Sequence, residues 1–237
     1  MPLVQLAKRL VPKPIKRALK RAPALANTFD LLLAGRRRDI PVYTAVDTLL
    51  SAAEREELYR LAQHVRNGDD IVEIGVYAGG SAYFLAKGLE ATESRASCVH
   101  GVDPFLSAPD RQRQESDGSP DSYRKKPGLS EVRSNLTKLG IDGRVILHEG
   151  FSEDIARDWR ERVGMLWIDG NHTQAYADFR AWRPWVADGG IVAFHDSRYP
   201  ENGFEPVTRD VERILREEWS SDLRFVDSIT SFRLYRY

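Results

Sequence analysis

Two apolar runs, GMLWID and GIVAFHD, end in residues that an apolar strand normally excludes: Asp169 closes the first, and His195 and Asp196 close the second. A carboxylate leaves water only when it is paired or coordinates a metal, and neighbouring carboxylates repel unless a cation lies between them. Two carboxylates and an imidazole suit a hard or borderline divalent ion, Mg²⁺ or Mn²⁺, with water and substrate oxygens completing an octahedron. Asp169, His195 and Asp196 are therefore the expected metal ligands. The plainer reading has Asp169 capping the following helix and His195 as a hydrogen-bonded core histidine. His172 follows Asp169 by three residues. Imidazole exchanges its proton near neutrality, so His172 is the candidate base, with support behind the ligands as its other role.

A second constellation precedes these residues. VEIGVYAGGS places Glu73, Gly75, Gly79, Gly80 and Ser81 where a strand runs into a helix. Glycines there let the backbone turn sharply and approach a ligand, and the helix start offers unpaired N–H groups. The G-x-G-x-x-G dinucleotide fingerprint is absent. The next apolar run ends at Asp103 in VHGVDPF, where a carboxylate can accept both ribose hydroxyls of a nucleoside lying over the sheet edge. A third run ends in HEGFSED. E-x-G-x-x-x-G resembles the first motif of class I S-adenosylmethionine-dependent methyltransferases. That resemblance implies that Glu73, Gly75, Gly79, Ser81 and Asp103 hold S-adenosylmethionine, with Phe151 and Ser152 facing the adenine. Glu149 and Asp154 read as local caps or solvated acids.

Methyl transfer to oxygen is an in-line displacement, so the attacking alcohol must lose its proton. A metal bound to that hydroxyl acidifies and orients it, and a nearby base takes the proton. The series D-G-x-H, A-W-x-P-x-x-x-x-G-G and H-D, within residues 68–198, resembles the metal-dependent O-methyltransferases of sugar hydroxyls. These include macrocin and mycinamicin sugar methyltransferases and relatives called cephalosporin hydroxylases. The resemblance implies a sugar or glycoside acceptor, a methylated mannoside among the candidates. Two departures stand out. Family members usually carry consecutive acids where this chain has His195 and Asp196, and several place a catalytic acid where Asn171 stands. The alternatives are an aromatic vicinal diol as acceptor, an Fe(II) oxygenase built on the same ligands, and a cofactor-binding partner protein without turnover.

The elements that must position these residues follow from periodicity. From residue 47 onward, helix-period stretches alternate with five short β-branched runs, which predicts crossovers and a parallel sheet. DLRFVDSITSFRLYRY holds two alternating runs around a short polar turn and so predicts an antiparallel hairpin. The expected fold is α/β, a Rossmann-like doubly wound sheet of about seven strands, mostly parallel with a C-terminal antiparallel hairpin. Residues 46–237 form the methyltransferase domain, and residues 106–128, rich in Pro, Gly and charge, form its expected lid. Tyr123 and Arg124 in that loop, and Arg198 and Tyr199 just past the metal ligands, are the candidate substrate contacts. Trp167, Trp182 and Trp185 read as core, the last two on one helix face. His100 and His148 read as structural.

The 35 basic and 35 acidic residues balance, but unevenly. Residues 1–38 hold ten Lys and Arg against the single acid Asp30, whereas residues 39–237 hold 25 basic and 34 acidic residues. Residues 1–45 are therefore expected to be a basic helical arm, with Lys13, Lys16, Arg17, Lys20 and Arg21 around Ile15, Leu19 and Ala22. The arm suits solvent, a subunit contact in a homodimer, or peripheral contact with an anionic membrane surface. Nucleic acid is not an expected partner; a small-molecule or oligosaccharide acceptor is. Cys98 stands alone and is expected in the core, which with the absence of a spanning segment or signal peptide points to the cytoplasm.

Overall fold

The computed structural model describes residues 46–92, 96–105 and 127–235. The basic arm and the lid segment carrying Tyr123 and Arg124 lie outside the described residues.

Five runs form parallel strands: β1 (Asp70–Ile74), β2 (Val99–Asp103), β3 (Val145–Glu149), β4 (Val163–Ile168) and β5 (Val186–Phe194). The hairpin supplies β6 (Ser220–Val226) and β7 (Ile229–Leu234). The seven-stranded order is β3-β2-β1-β4-β5-β7-β6, with β7 running antiparallel between β5 and β6. The chain works outward from β1 to β3, then returns to β4. The order therefore reverses between β1 and β4, and ligands of such sheets bind in the crevice at the carboxyl ends there.

Successive strand residues point to opposite faces, and the core divides accordingly. Ile71, Met165, Trp167, Ile191 and Ile229 pack beneath α1 (Ala52–Ala62), α2 (Gly80–Glu90) and α3 (Leu129–Leu139). Val72, Leu166, Val192, Phe194 and Phe232 pack beneath α4 (Ser152–Asp158), α5 (Ala175–Trp182) and α6 (Glu205–Glu217). Both apolar faces of the sheet are covered, which is why the central strands read as nearly continuous hydrophobic runs. Among the described residues no helix is long and apolar enough to cross a membrane.

Two expectations need correction. Trp185 does not share a helix face with Trp182, because α5 ends at Trp182, with Arg183 as its cap before Pro184. Proline has no N–H with which to continue the helical bonding; Trp185 N instead closes a turn on Trp182 O at 2.9 Å, and the chain enters β5 earlier than GIVAF suggested. Both tryptophans still serve the packing: Trp182 is fully buried, and half-buried Trp185 donates its indole N–H to the Ala156 carbonyl at 2.9 Å. Cys98 is only partly buried, immediately before β2, where burial and the neighbouring Asp70 push its thiol up. His100 and His148 are structural as expected, hydrogen-bonded to each other at 2.9 Å beside the Trp159 ring.

Candidate active site

Four strand ends meet at the carboxyl edge. Gly75 leaves β1 with φ +87°, and its amide donates to Val102 O at 2.9 Å. Asp169 follows β4, its amide on Ile74 O at 2.9 Å, and His195 follows β5, its amide on Ile168 O at 3.0 Å. These bonds prolong the ladder past the last regular residue and so set the backbones of both residues.

Consecutive residues of a strand point to opposite sides, so His195 and Asp196 could not converge on a continuing strand. Asp196 breaks the pattern with φ +51°, a costly conformation for a residue other than glycine. Its amide donates to the Ser228 hydroxyl at 3.2 Å, and Ser197 N donates to Ser228 O at 3.0 Å. The hairpin turn thus holds the kink. As a result His195 Nδ1 lies 3.1 Å from Asp169 Oδ1 and 3.2 Å from Asp196 Oδ2. His172 Nε2 lies 3.2 Å from Asp196 Oδ2, with Phe204 against its ring at 5.0 Å.

The donor set fits a divalent ion. Asp169, His195 and Asp196 each offer one ligand atom, all within 4.8 Å of one another. Neighbouring corners of an octahedron with bonds of about 2.1 Å are about 3.0 Å apart, close to both separations from Nδ1. Burial opposes a charge on His195, yet Asp169, Asp196 and Glu54 outweigh it and hold the imidazole well above its ordinary value. Burial likewise opposes charge on Asp196, but its hydrogen bonds to His172 and His195 hold it well below the carboxylate range. An ion would take the place of the imidazole proton, since a ligating histidine must be neutral at the coordinating nitrogen.

The glycine end lies beside this cluster. Gly79, φ +88°, precedes α2 without a side-chain cap, which leaves the first-turn amides of that helix for a ligand. The segment entering α1 lies across the same helix start, where Tyr77 donates to Asp47 Oδ2 at 3.0 Å. Asp103 receives Val76 N at 3.1 Å and Phe105 N at 2.8 Å on its two oxygens. Its carboxylate therefore shapes the glycine turn and retains further acceptor capacity on each oxygen. Ser81 donates its hydroxyl to Glu73 Oε1, so its part is to hold Glu73. Phe151 is exposed and open to a ligand. Ser152 is not: its hydroxyl accepts from Trp182 Nε1 at 2.9 Å and also engages Asp178, tying α4 to α5. Arg198 stacks over the Phe225 ring at 4.8 Å and Tyr199 reaches Asp227 at 3.5 Å, so both brace the hairpin turn beside the site. Glu149 and Asp154 are exposed acids.

Glu73 is 0 % exposed, and its Oε2 has no partner within the protein. Burial is the main cause that pushes its carboxyl up to about 8, with Asp169 and Asp103 adding to the effect. The folded state thus favours the neutral acid. Its contribution to stability is full below the reference value of 4.5 and declines as pH rises through about 8. Glu73→Gln does not titrate. Relative to the parent, its melting temperature is expected to rise by several degrees between pH 4.5 and 8 and to level off above that. A difference between the two proteins that stays constant across this range contradicts a buried neutral carboxyl.

Residues 72–197, more than half of the chain, match a family model described as a methyltransferase domain. The chain belongs to this methyltransferase family. The methyltransferase fold also recurs in solved structures. The O-methyltransferase NovP superposes with a TM-score of 0.62 at 18% identity, over 80% of this chain and 82% of its own. The calicheamicin methyltransferase CalS11 gives 0.59 at 18% identity, over 97% and 89%. TomG from Streptomyces achromogenes, an O-methyltransferase involved in tomaymycin synthesis and crystallised with S-adenosylmethionine, gives 0.58 at 18% identity, over 80% and 83%.

Glu54 was missed by sequence reasoning. Its carboxylate faces His195 Nε2 from α1 at 3.5 Å. In the sequence it is one acid of AAEREELYRLA, with nothing to separate it from a solvated helix residue except the Ser51 three positions before it.

Proposed function

We propose that this methyltransferase is an S-adenosylmethionine-dependent, divalent-metal-assisted O-methyltransferase acting on a sugar or glycoside hydroxyl. The observation that carries the reading is the convergence of Asp169, His195 Nδ1 and Asp196 at the sheet edge that also bears the glycine turn. A carboxylate cluster beside the glycine turn suits an oxygen acceptor that must be deprotonated next to the cofactor. The unpartnered Glu73 oxygen, the uncapped start of α2 and Asp103 are the groups that would hold S-adenosylmethionine, which when bound supplies an electrophilic methyl group. Asp169, His195 and Asp196 would hold Mg²⁺ or Mn²⁺, which supplies Lewis acidity to the acceptor oxygen.

The protein's own part is positional and acid–base. His172, anchored through Nε2 to Asp196, stands as the base that receives the acceptor's hydroxyl proton, and Asp196 stabilises the resulting imidazolium. The sugar acceptor is supported by the D-G-x-H and H-D motifs.

Calorimetric titration of chelator-treated protein with S-adenosylhomocysteine, with and without Mg²⁺, tests the cofactor half, and micromolar binding is expected. Turnover on partly methylated glycosides should cease with chelator and return with Mg²⁺; full activity in excess chelator removes the metal. Transfer to catechols alone would reassign the acceptor as an aromatic diol. His172→Gln is expected to lower kcat by about 10²–10⁴-fold with cofactor affinity unchanged. A kcat within about threefold of the parent would mean that another group takes the proton.

A further inference from the structure

Glu54 is the third helical residue of α1 and closes a capping box: Ser51 N donates to its Oε2 at 2.7 Å, and its own amide donates to Ser51 Oγ at 3.4 Å. That duty can be carried out at the protein surface. Glu54 is instead 4 % exposed, and burying a carboxylate costs several kcal/mol unless it is paired. The partners explain its place. Oε1 accepts both Ser228 N at 3.0 Å and Ser228 Oγ at 2.6 Å, from a turn 174 residues away. Oε2 stands 3.5 Å from His195 Nε2, and Trp167 closes the imidazole edge-on at 5.8 Å. Both ring nitrogens of His195 therefore face carboxylates, Glu54 behind and the candidate ligands in front. The same Ser228 hydroxyl that donates to Glu54 receives the amide of Asp196.

We propose that Glu54 is a positioning residue: it holds His195 with Nδ1 turned toward Asp169 and Asp196, and through Ser228 it steadies the kinked backbone of Asp196. Its consequence for metal affinity rests on the metal reading above. A carboxylate behind a ligating imidazole fixes the ring and its tautomer, and loss of such a partner typically weakens metal binding 10- to 100-fold. Only an imidazole at position 195 has a use for it. With a carboxylate there, Glu54 would be a second buried negative charge opposing the first.

The test is a four-protein cycle: the parent, Glu54→Gln, His195→Asp and the double variant, each titrated with Mn²⁺ alone and melted. Glutamine with its carbonyl on Ser51 N retains the capping box and an acceptor toward His195 but not the negative charge, and unchanged binding of S-adenosylhomocysteine checks the fold. In the parent background Glu54→Gln is expected to weaken Mn²⁺ binding 10- to 100-fold. In the His195→Asp background the same change should leave affinity unchanged or improve it. Equal effects of Glu54→Gln in both backgrounds, on affinity and on melting temperature, would reduce Glu54 to a helix cap and overturn the proposal. If the parent binds no Mn²⁺, the metal reading fails and the melting temperatures decide alone: a fall with His195 and a rise with Asp at that position uphold Glu54 as the partner of His195, and equal shifts overturn it.

Discussion

Asp169→Asn is expected to reduce kcat/KM by 10³-fold or more while leaving the fold and cofactor affinity nearly intact. Asparagine keeps the shape, and the backbone of residue 169 is set by its amide bond to Ile74 O, which the substitution does not touch. What disappears is one of the two negative charges that face His195 Nδ1. Metal-assisted deprotonation depends on charge at the ligand oxygens, and loss of Lewis-acid stabilisation is worth several kcal/mol; each tenfold in rate corresponds to about 1.4 kcal/mol. Steady-state kinetics in saturating Mg²⁺, with calorimetry for S-adenosylhomocysteine, reads both parts. A variant that keeps a tenth of the parent's activity would show that the Asp169 charge is not needed for turnover; a helix cap it is not, since Gln174 stands at that position.

Gly75→Ala is expected to be the most damaging single-methyl change in the domain. At φ +87° an added Cβ would lie 2.3 Å from Asp169 O, 2.7 Å from Asp169 C and 2.8 Å from Gly170 Cα. All three are backbone atoms, so relief requires the ends of β1 and β4 to move apart, and the site hangs on those ends. Gly68 provides the control: it has φ +91° but nothing within 4 Å of an added Cβ, so Gly68→Ala bears only the left-handed backbone cost of about 1–2 kcal/mol. The Gly75 variant should lose about 1–3 kcal/mol more than the Gly68 variant, typical of overpacking, together with cofactor binding. Chemical denaturation of the two variants isolates the contact. Equal losses at both positions would show that β1 and β4 do not meet this closely.

The parallel strands and the hairpin were legible because each is a short β-branched run bounded by glycine, proline or charge, a pattern that depends only on local composition. Asp169, His195 and Asp196 were legible for a related reason: polar groups at the ends of apolar runs have few structural uses. The order in which strands sit is not local, yet the single change from helical crossovers to a hairpin told where antiparallel pairing begins. What stayed hidden depends on three-dimensional neighbours. Ser152 looked available to a ligand, but Trp182 and Asp178 claim its hydroxyl across two helices. Asp103 looked dedicated to a ribose, but it also holds the loop after β1 through Val76 N while keeping acceptor capacity for a ligand. The left-handed kink at Asp196 has no signature in H-D itself, because the serine that holds it lies 32 residues further on. Glu54 was hidden because its cap is visible in sequence and its second duty is not.

The hairpin turn at Ser228 also bears on the order of events during synthesis. Residues 169, 195 and 196 leave the ribosome before Ser228 does, and β7 must slot between β5 and β6 before that serine can reach Glu54 and the Asp196 amide. A nascent chain with all five parallel strands already made would thus carry the candidate ligands but not the brace that turns Asp196 toward His195. Such a chain, arrested at Trp219, should gain Mn²⁺ affinity only when the hairpin is completed. The enzyme would then acquire its chemistry in a single late step, with no half-built catalyst active beforehand.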